Sequence, residues 1–97
     1  MFFGQYEQKI DNKWRTFVPA AFREEIREKK LYLYRKNEKR IEVLLTAESF
    51  SEESFPFVFT ATLDKQGRIL IPAFFRDSFN NKVRFTGYKE YFTIEPC

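Results

Sequence analysis

A repeated segment constrains the fold of this chain more than any other feature. Six identities recur within 13 residues, without a gap, at an offset of 53. The identical pairs are Asp11 and Asp64, Arg15 and Arg68, Pro19 and Pro72, Ala20 and Ala73, Phe22 and Phe75, and Arg23 and Arg76. A chain of 97 residues has the typical length of one domain. We therefore expect residues 1–97 to form a single domain, with repeat one at 1–45, a linker at 46–56 and repeat two at 57–97.

Each copy predicts the same order of secondary structure. Two β-prone segments flank a tight turn, a proline then opens a short helix, and a β-hairpin follows. In copy one, the predicted segments are strands 6–10 and 16–18, helix 19–28, and a hairpin of 31–35 with 41–45. In copy two, they are strands 57–63 and 69–71, a helix, and a hairpin of 82–86 with 91–94. The second helix is predicted to end at Asn80 and Asn81, with Asn as a left-handed cap. One copy alone would be marginally stable, so the copies are expected to pack about a pseudo-two-fold axis. The predicted fold is mainly β with two short helices.

The two turns differ at one position. In copy two, the Asp64 carboxylate can accept backbone N–H groups, and Gly67 can adopt a positive φ without steric cost. Copy one has Trp14 at the place of Gly67, and a bulky side chain disfavours that conformation. The first turn is therefore either built differently or strained. Asp11 and Asp64 are interpreted as structural turn caps rather than as a catalytic pair.

Charge permits a polyanionic partner. The formal net charge is +3 and the pI is about 9.1. Residues 1–50 contain 11 Lys and Arg against 8 Asp and Glu, whereas residues 51–97 contain 6 of each class. The whole excess lies in the first half, which is therefore expected to dominate any polyanion-binding face.

Several classes of function are disfavoured by composition. The chain has no His, and its one cysteine, Cys97, has no His partner, so nucleophilic catalysis and a metal site lack their usual residues. We expect no enzymatic activity, no cofactor and no bound metal. The N-terminus lacks the basic start and apolar stretch of a signal peptide, and no apolar run approaches membrane-spanning length. The expected location is the cytoplasm, without membrane association.

Side chains outside the turns are assigned mainly to packing. Arg23 and Arg76 are predicted to tie each helix to the other copy rather than to contact phosphate. Three interpretations of Trp14 stay open: its side chain contacts DNA, packs on a neighbouring subunit, or folds back. The segment 46–56 is interpreted as a linker or a short helix capped by Thr46. Ten phenylalanines are assigned to the core rather than to base stacking, namely Phe2, Phe3, Phe17, Phe22, Phe59, Phe74, Phe75, Phe79, Phe85 and Phe92.

The segment Asp64–Ala73, with the sequence DKQGRILIPA, resembles the signature of the SpoVT/AbrB swapped-hairpin superfamily. Its duplication in one chain, together with the opening Met1–Glu7 and the run Arg15–Pro19 after Asp11, is similar to the MraZ family in particular. The resemblance implies a swapped-hairpin β-barrel built from two repeats. It further implies a cytoplasmic, nucleoid-associated regulator that represses the division and cell-wall gene cluster, and whose subunits assemble into rings that meet successive short DNA repeats through Asp-x-x-x-Arg hairpins.

These observations predict a basic hairpin tip that enters a DNA groove. The expected DNA-binding residues are Lys9, Asn12, Lys13, Trp14, Arg15, Lys65 and Arg68. The expected partners are double-stranded DNA with short direct repeats and further copies of the chain, in a ring or a dimer. Two alternatives stay open: an AbrB-type antitoxin or protein-interaction module, and a structural or RNA-binding protein that uses the same basic face.

Overall fold

The two copies exchange their outer strands. A computed structural model of the protein describes residues 1–37, 39–46 and 58–97. Within these residues the elements are β1 (Gln5–Lys9), β2 (Arg15–Phe17), α1 (Ala20–Ile26), β3 (Leu31–Arg35), β4 (Ile41–Leu44), β5 (Val58–Ala61), β6 (Arg68–Leu70), a 3₁₀ helix (Ala73–Ser78), β7 (Lys82–Gly87) and β8 (Phe92–Pro96). The first strand of each copy pairs with the hairpin of the other copy, β1 with β7 and β5 with β3.

The strand order shows the pseudo-two-fold axis. The larger sheet has the order β1-β7-β8-β4-β3-β5, in which exchanging the copies turns one half into the other. The axis lies between β4 and β8, where Glu42 is paired with Thr93 in antiparallel register. The remaining strands, β2 and β6, form a separate antiparallel two-stranded ribbon. The predicted arrangement of swapped hairpins about a pseudo-two-fold axis is confirmed.

The elements agree with the predicted ones except at the helix ends. Pro19 precedes α1 as its N-cap instead of occupying the first turn. The second helix is 3₁₀ rather than α, because its sequence AFFRDS includes aromatic, Asp and Ser residues, which are weak helix formers. Asn80 and Asn81 were predicted to be left-handed, which is wrong: the 3₁₀ helix passes into extended backbone at Phe79, and the left-handed residue near a helix end is Glu28, after α1.

Most of segment 46–56 lies outside the described residues, so its interpretation as a linker or short helix stays a prediction. In the part of the chain that the structure describes, none of the helical segments is long and apolar enough to cross a membrane.

Equivalent residues of the two copies meet in one hydrophobic core. Buried pairs related by the repeat include Val18 and Ile71, and Phe22 and Phe75. The rings of Phe2, Phe22 and Phe92 contact one another at centroid distances of 5.0–5.3 Å. Because neither copy encloses its own apolar face, the copies stabilise each other through this shared core.

The core assignment of the phenylalanines is confirmed for six buried residues, namely Phe2, Phe22, Phe75, Phe79, Phe85 and Phe92. Phe59 is half-buried and packs against them. The assignment is wrong for Phe3, Phe17 and Phe74, which are 61%, 45% and 45% exposed. Phe3 follows the buried Phe2 and lies on the opposite face of an extended segment, and Phe17 points outward from β2. Phe74 lies on the outer side of its helix, where the Arg35 guanidinium carbon is 4.5 Å from the centroid of its ring.

Replacing Phe22 with Ala should lower the free energy of unfolding by about 3–5 kcal/mol, because it opens a cavity in the shared core. The matched substitution at the exposed Phe3 should change it by less than about 0.5 kcal/mol. Urea unfolding followed by circular dichroism measures both, with Phe22→Leu as a milder variant if Phe22→Ala does not fold. Equal effects at the two positions would contradict this packing.

Candidate nucleic-acid interface

A carboxylate organises each of the two turns. In the first turn, Asp11 Oδ1 accepts the backbone N–H groups of Lys13 and Arg15 at 2.9 Å, and Asp11 Oδ2 accepts Arg15 Nε at 2.9 Å. Asp64 repeats the arrangement with Gln66 and Arg68: two backbone bonds of 2.9 Å and an Arg68 Nε bond of 2.7 Å. Each Asp therefore closes its turn and orients the Arg four residues later. The interpretation of the two Asp residues as turn caps is confirmed.

These hydrogen bonds change the acidity of both carboxyl groups. The pKa of Asp11 lies below its ordinary value, chiefly because the Arg15 backbone N–H binds the charged form, although partial desolvation opposes the shift. At Asp64 desolvation is the largest single influence and raises the pKa, but hydrogen bonds from Arg68 and Gln66 outweigh it, so the pKa again lies below its ordinary value. Both carboxylates stay ionised at neutral pH.

Both turns place a left-handed residue before the Arg. Trp14 has φ = 62° and Gly67 has φ = 85°, so the first turn adopts the glycine conformation despite its bulky residue. Of the two predicted alternatives, strain is the correct one. The carbonyl of each left-handed residue accepts an N–H from the other copy: Ile71 N–H bonds Trp14 O at 2.8 Å, and Val18 N–H bonds Gly67 O at 3.0 Å. These reciprocal bonds join each turn to the strand of the other copy.

The helix arginines cross between the copies. Arg76 lies over the Trp14 ring at 5.6 Å from its centroid, and Trp14 is half-buried against the core. Trp14 therefore folds back. In the second turn Arg23 takes the corresponding place, since a Cβ added to Gly67 would lie 2.7 Å from Arg23 Cδ. The prediction that Arg23 and Arg76 tie each helix to the other copy is confirmed.

The β2–β6 ribbon brings the two turn arginines onto one face. Along the ribbon, Thr16 and Ile69 are buried, so the alternating residues face outward. The outward residues are Arg15, Phe17, Arg68 and Leu70, with Arg15 paired opposite Leu70 and Phe17 opposite Arg68. The ribbon thus carries a two-fold related set of two guanidinium groups and two partly exposed apolar side chains.

A groove beside this face adds two lysines. The groove has a volume of about 780 Å³ and is lined by four basic residues, Lys9, Arg15, Arg68 and Lys82, and two acidic ones, Glu7 and Asp11. We call it the basic groove. Each copy contributes two of the four basic residues of the groove. The charge count, in contrast, predicts that copy one dominates the polyanion-binding face. Asp11 is 2.9 Å from Arg15 Nε and 3.9 Å from Arg68 Nη1, so this carboxylate is already engaged by guanidinium groups.

Lys82 is the residue of the basic groove that sequence reasoning missed. In the β1–β7 pair it lies directly opposite Lys9, and both are exposed. Like charges at directly opposed positions of an antiparallel pair destabilise the sheet. Lys82 could be assigned to this groove only from the pairing of β1 with β7. The sequence around Lys82 carries no local signal for it.

The predicted site residues divide into three groups. Arg15 and Arg68 share the outer ribbon face, and Lys9 joins them in the basic groove. Asn12 and Lys13 are exposed at the first turn, whereas Lys65 is exposed at the second turn, beyond the other end of the ribbon. Trp14 is turned inward. The role of each in DNA binding stays a prediction.

Comparison with known proteins agrees with the duplicated turn. The family model described as "MraZ protein, putative antitoxin-like" matches residues 1–52. This chain belongs to the MraZ family. The match contains all of copy one, including the Asp11–Arg15 turn, and it confirms the resemblance carried by the repeated signature.

Three relatives of the MraZ family bear the name "Transcriptional regulator MraZ". Those of Thermoanaerobacter sp. (strain X514) and Heliobacterium modesticaldum are 39% identical over 95 residues, and that of Caldanaerobacter subterraneus subsp. tengcongensis is 38% identical over 95 residues. Each alignment covers 79% of this chain and 66% of the relative. The chain thus spans just under two thirds of the length of these MraZ relatives. Their name describes a regulator, in agreement with the expectation of a non-enzymatic role.

The turn carboxylates should make stability fall in acid. Their folded-state pKa values lie below those of the unfolded chain, so their stabilising contribution is complete above about pH 4, the ordinary range of Asp, and is lost as the pH falls through the folded-state values. The double variant Asp11→Asn and Asp64→Asn should be less stable at pH 7 and should lose less stability between pH 5 and 2. Thermal melts across this pH range measure the difference; parallel profiles for both proteins would contradict the assignment.

The opposed lysines should affect stability and binding in opposite directions. Lys82→Thr removes the like-charge pair with Lys9, so the free energy of unfolding should rise by about 0.2–1 kcal/mol at low salt. The same variant should bind duplex DNA more weakly if the basic groove contacts phosphate. Lys29→Thr, at an exposed lysine outside this groove, is the control. A Lys82 variant with lowered stability would show that the pair is not repulsive.

Proposed function

We propose that the protein is a sequence-specific DNA-binding transcriptional regulator, and that it reads DNA with the outer face of the β2–β6 ribbon. The observation that carries this proposal is the placement of Arg15 and Arg68 on one ribbon face by two equivalent Asp-capped turns, beside Lys9 and Lys82. The name of the MraZ relatives supports the regulatory role. Residues 1–97 act as one domain, since both copies share the core.

The ribbon has the dimensions and chemistry of a major-groove reader. Two-stranded antiparallel ribbons fit the DNA major groove, which is about 12 Å wide. An Arg can donate two hydrogen bonds to guanine, and its guanidinium carries five N–H donors. In each turn Asp accepts the Nε bond, which orients the guanidinium before DNA arrives and reduces the entropy lost on binding. Phe17 and Leu70 supply apolar surface that suits the methyl group of thymine.

Affinity is proposed to come from several copies of the chain on successive DNA repeats. A single ribbon three residues long on each strand makes few contacts. Linking several weak sites raises their combined affinity without new contacts, so a homo-oligomer on short direct repeats would bind far more tightly than one subunit. On the basis of the MraZ family membership, we propose further that the protein represses the division and cell-wall gene cluster, including its own promoter, in the cytoplasm at the nucleoid.

The proposal is tested with the duplex upstream of the protein's own coding sequence and a shuffled duplex of equal length. Arg15→Lys keeps the charge but removes the guanidinium fork. Its affinity for the upstream duplex should fall about 5- to 150-fold, the equivalent of about 1–3 kcal/mol for one bidentate base contact, with affinity for the shuffled duplex nearly unchanged. Arg15→Ala should abolish the preference for the upstream duplex. Fluorescence anisotropy measures binding, and circular dichroism establishes that each variant is folded.

The control is Lys29→Ala, at an exposed residue outside the ribbon face and the basic groove. It should keep the preference for the upstream duplex. If the wild type bound both duplexes equally, or if Arg15→Lys kept the full preference, the proposed reading of DNA by this ribbon would be wrong.

A second candidate function is supported by the family description, which includes the term antitoxin-like. In that case the exposed Phe17 and Leu70 would contact a partner protein, with DNA bound only secondarily. The anisotropy experiment separates the two functions, because a protein-interaction module requires no preference for the upstream duplex. RNA of the same sequence, used as a competitor, tests the remaining alternative of an RNA-binding face.

A further inference from the structure

Two grooves lie at pseudo-equivalent places, one beside each turn. The second-turn groove has a volume of about 430 Å³ and lies between the end of α1 and the turn Asp64–Gly67. The first-turn groove, of about 350 Å³, lies between the end of the 3₁₀ helix and the turn Asp11–Trp14. The repeat therefore supplies two grooves of similar construction that can be compared residue by residue.

The grooves differ in charge at three matched positions. The second-turn groove contains Arg27 and Lys65. At the offset of 53 that relates the copies, Arg27 corresponds to Asn80, and Lys65 corresponds to Asn12. Asn80 and Asn12 line the first-turn groove. Two cations and one carboxylate, Glu28, in the second-turn groove thus correspond to three neutral amides, the third being Asn81, in the first-turn groove. Arg27 comes from copy one and Lys65 from copy two, so neither copy alone contains this pair.

The carboxylates nearby leave these two cations available to a ligand. Asp64 is bonded to Arg68 at 2.7 Å. Glu24 is 3.8 Å from Arg27, but the two side chains are 80% and 72% exposed, and ion pairs of this kind contribute little. Glu28 also lines the groove. Its charge opposes a highly charged anion more than the single charge of a phosphodiester.

The position of the second turn brings this groove close to DNA in the proposed complex. The left-handed residues of the two turns bond to opposite ends of the ribbon, Trp14 to Ile71 and Gly67 to Val18. Four residues of extended chain separate Trp14 from Val18, so the turns are about 13 Å apart. The major groove is about 12 Å wide. A ribbon whose strands cross that groove would therefore place one turn at each phosphate backbone.

We propose that Arg27 and Lys65 bind two neighbouring backbone phosphates of DNA, one each, at the second-turn groove, so that the two turns hold the two DNA strands unequally. This inference rests on the proposed function, because it assumes that the ribbon face meets duplex DNA. The strand beside the second turn is held by Arg27 and Lys65, whereas the strand beside the first turn meets Asn80, Asn12 and one exposed cation, Lys13. Arg27 positions the protein on the backbone and reads no base.

The test gives two positions of the second-turn groove the residues that the first-turn groove has there. In the double variant Arg27→Asn and Lys65→Asn, each cation is replaced by the residue that stands at the matched position in the other copy. Binding of the shuffled duplex is measured by anisotropy from 50 to 300 mM salt. Loss of two phosphate contacts should make the slope of log affinity against log salt shallower by about 1.8 for each subunit engaged. The preference for the upstream duplex over the shuffled one should stay, because phosphate contacts carry no base information.

The control is the double variant Lys29→Asn and Lys30→Asn, which removes the same charge from two exposed residues outside both grooves. Its slope should stay near that of the wild type. An equal change in the two double variants would overturn the proposal, because net charge alone would then explain the loss. An unchanged slope in the Arg27 and Lys65 variant would also overturn it.

If that variant had a wild-type slope while Arg15→Lys still lost its preference, the proposed function would stand and only this inference would fail. The single variant Arg27→Asn assigns the share of Arg27, whose loss should change the slope by about half as much.

Discussion

The backbone carbonyls of Trp14 and Gly67 are the groups on which the rest of this arrangement depends. Each belongs to a left-handed residue in a turn of one copy and accepts an N–H group from the strand of the other copy. The two bonds hold β2 and β6 side by side in one register, and that register places Arg15 and Arg68 on a common face. The strain of a tryptophan at positive φ is offset by this bond, by the burial of its ring and by the stacking of Arg76.

The repeat made most of the fold predictable, because its signals are local. An Asp that caps a turn, a proline after a short strand and alternating apolar residues act within a few positions of one another. The helix type at Ala73–Ser78 was not predictable from the resemblance to copy one, since it depends on a few residues of low helix propensity. The conformation of Trp14 depended on a bond from Ile71. That hydrogen bond joins residues of different copies, so no local sequence pattern predicts it.

The candidate site was predictable only in part. Arg15 and Arg68 follow from the repeated motif, but Lys82 enters the basic groove through a strand pairing, and Arg27 reaches the second turn through the crossing of the copies. A charge count assigns the basic excess to copy one, whereas folding carries some of that charge to the turn of copy two. The outward positions of Phe17 and Phe74 likewise depend on which strand or helix face the other copy covers.

The exchange of outer strands has a consequence for the order in which the chain matures on the ribosome. β1 is synthesised well before its partner β7, which begins only at Lys82. Copy one therefore keeps an unpaired edge and an exposed apolar face until β7 of copy two has been synthesised. Contacts so distant in sequence slow folding and prolong the exposure of apolar surface. The strand exchange that unites the two copies thus makes the first strand of copy one depend on a strand that is synthesised much later.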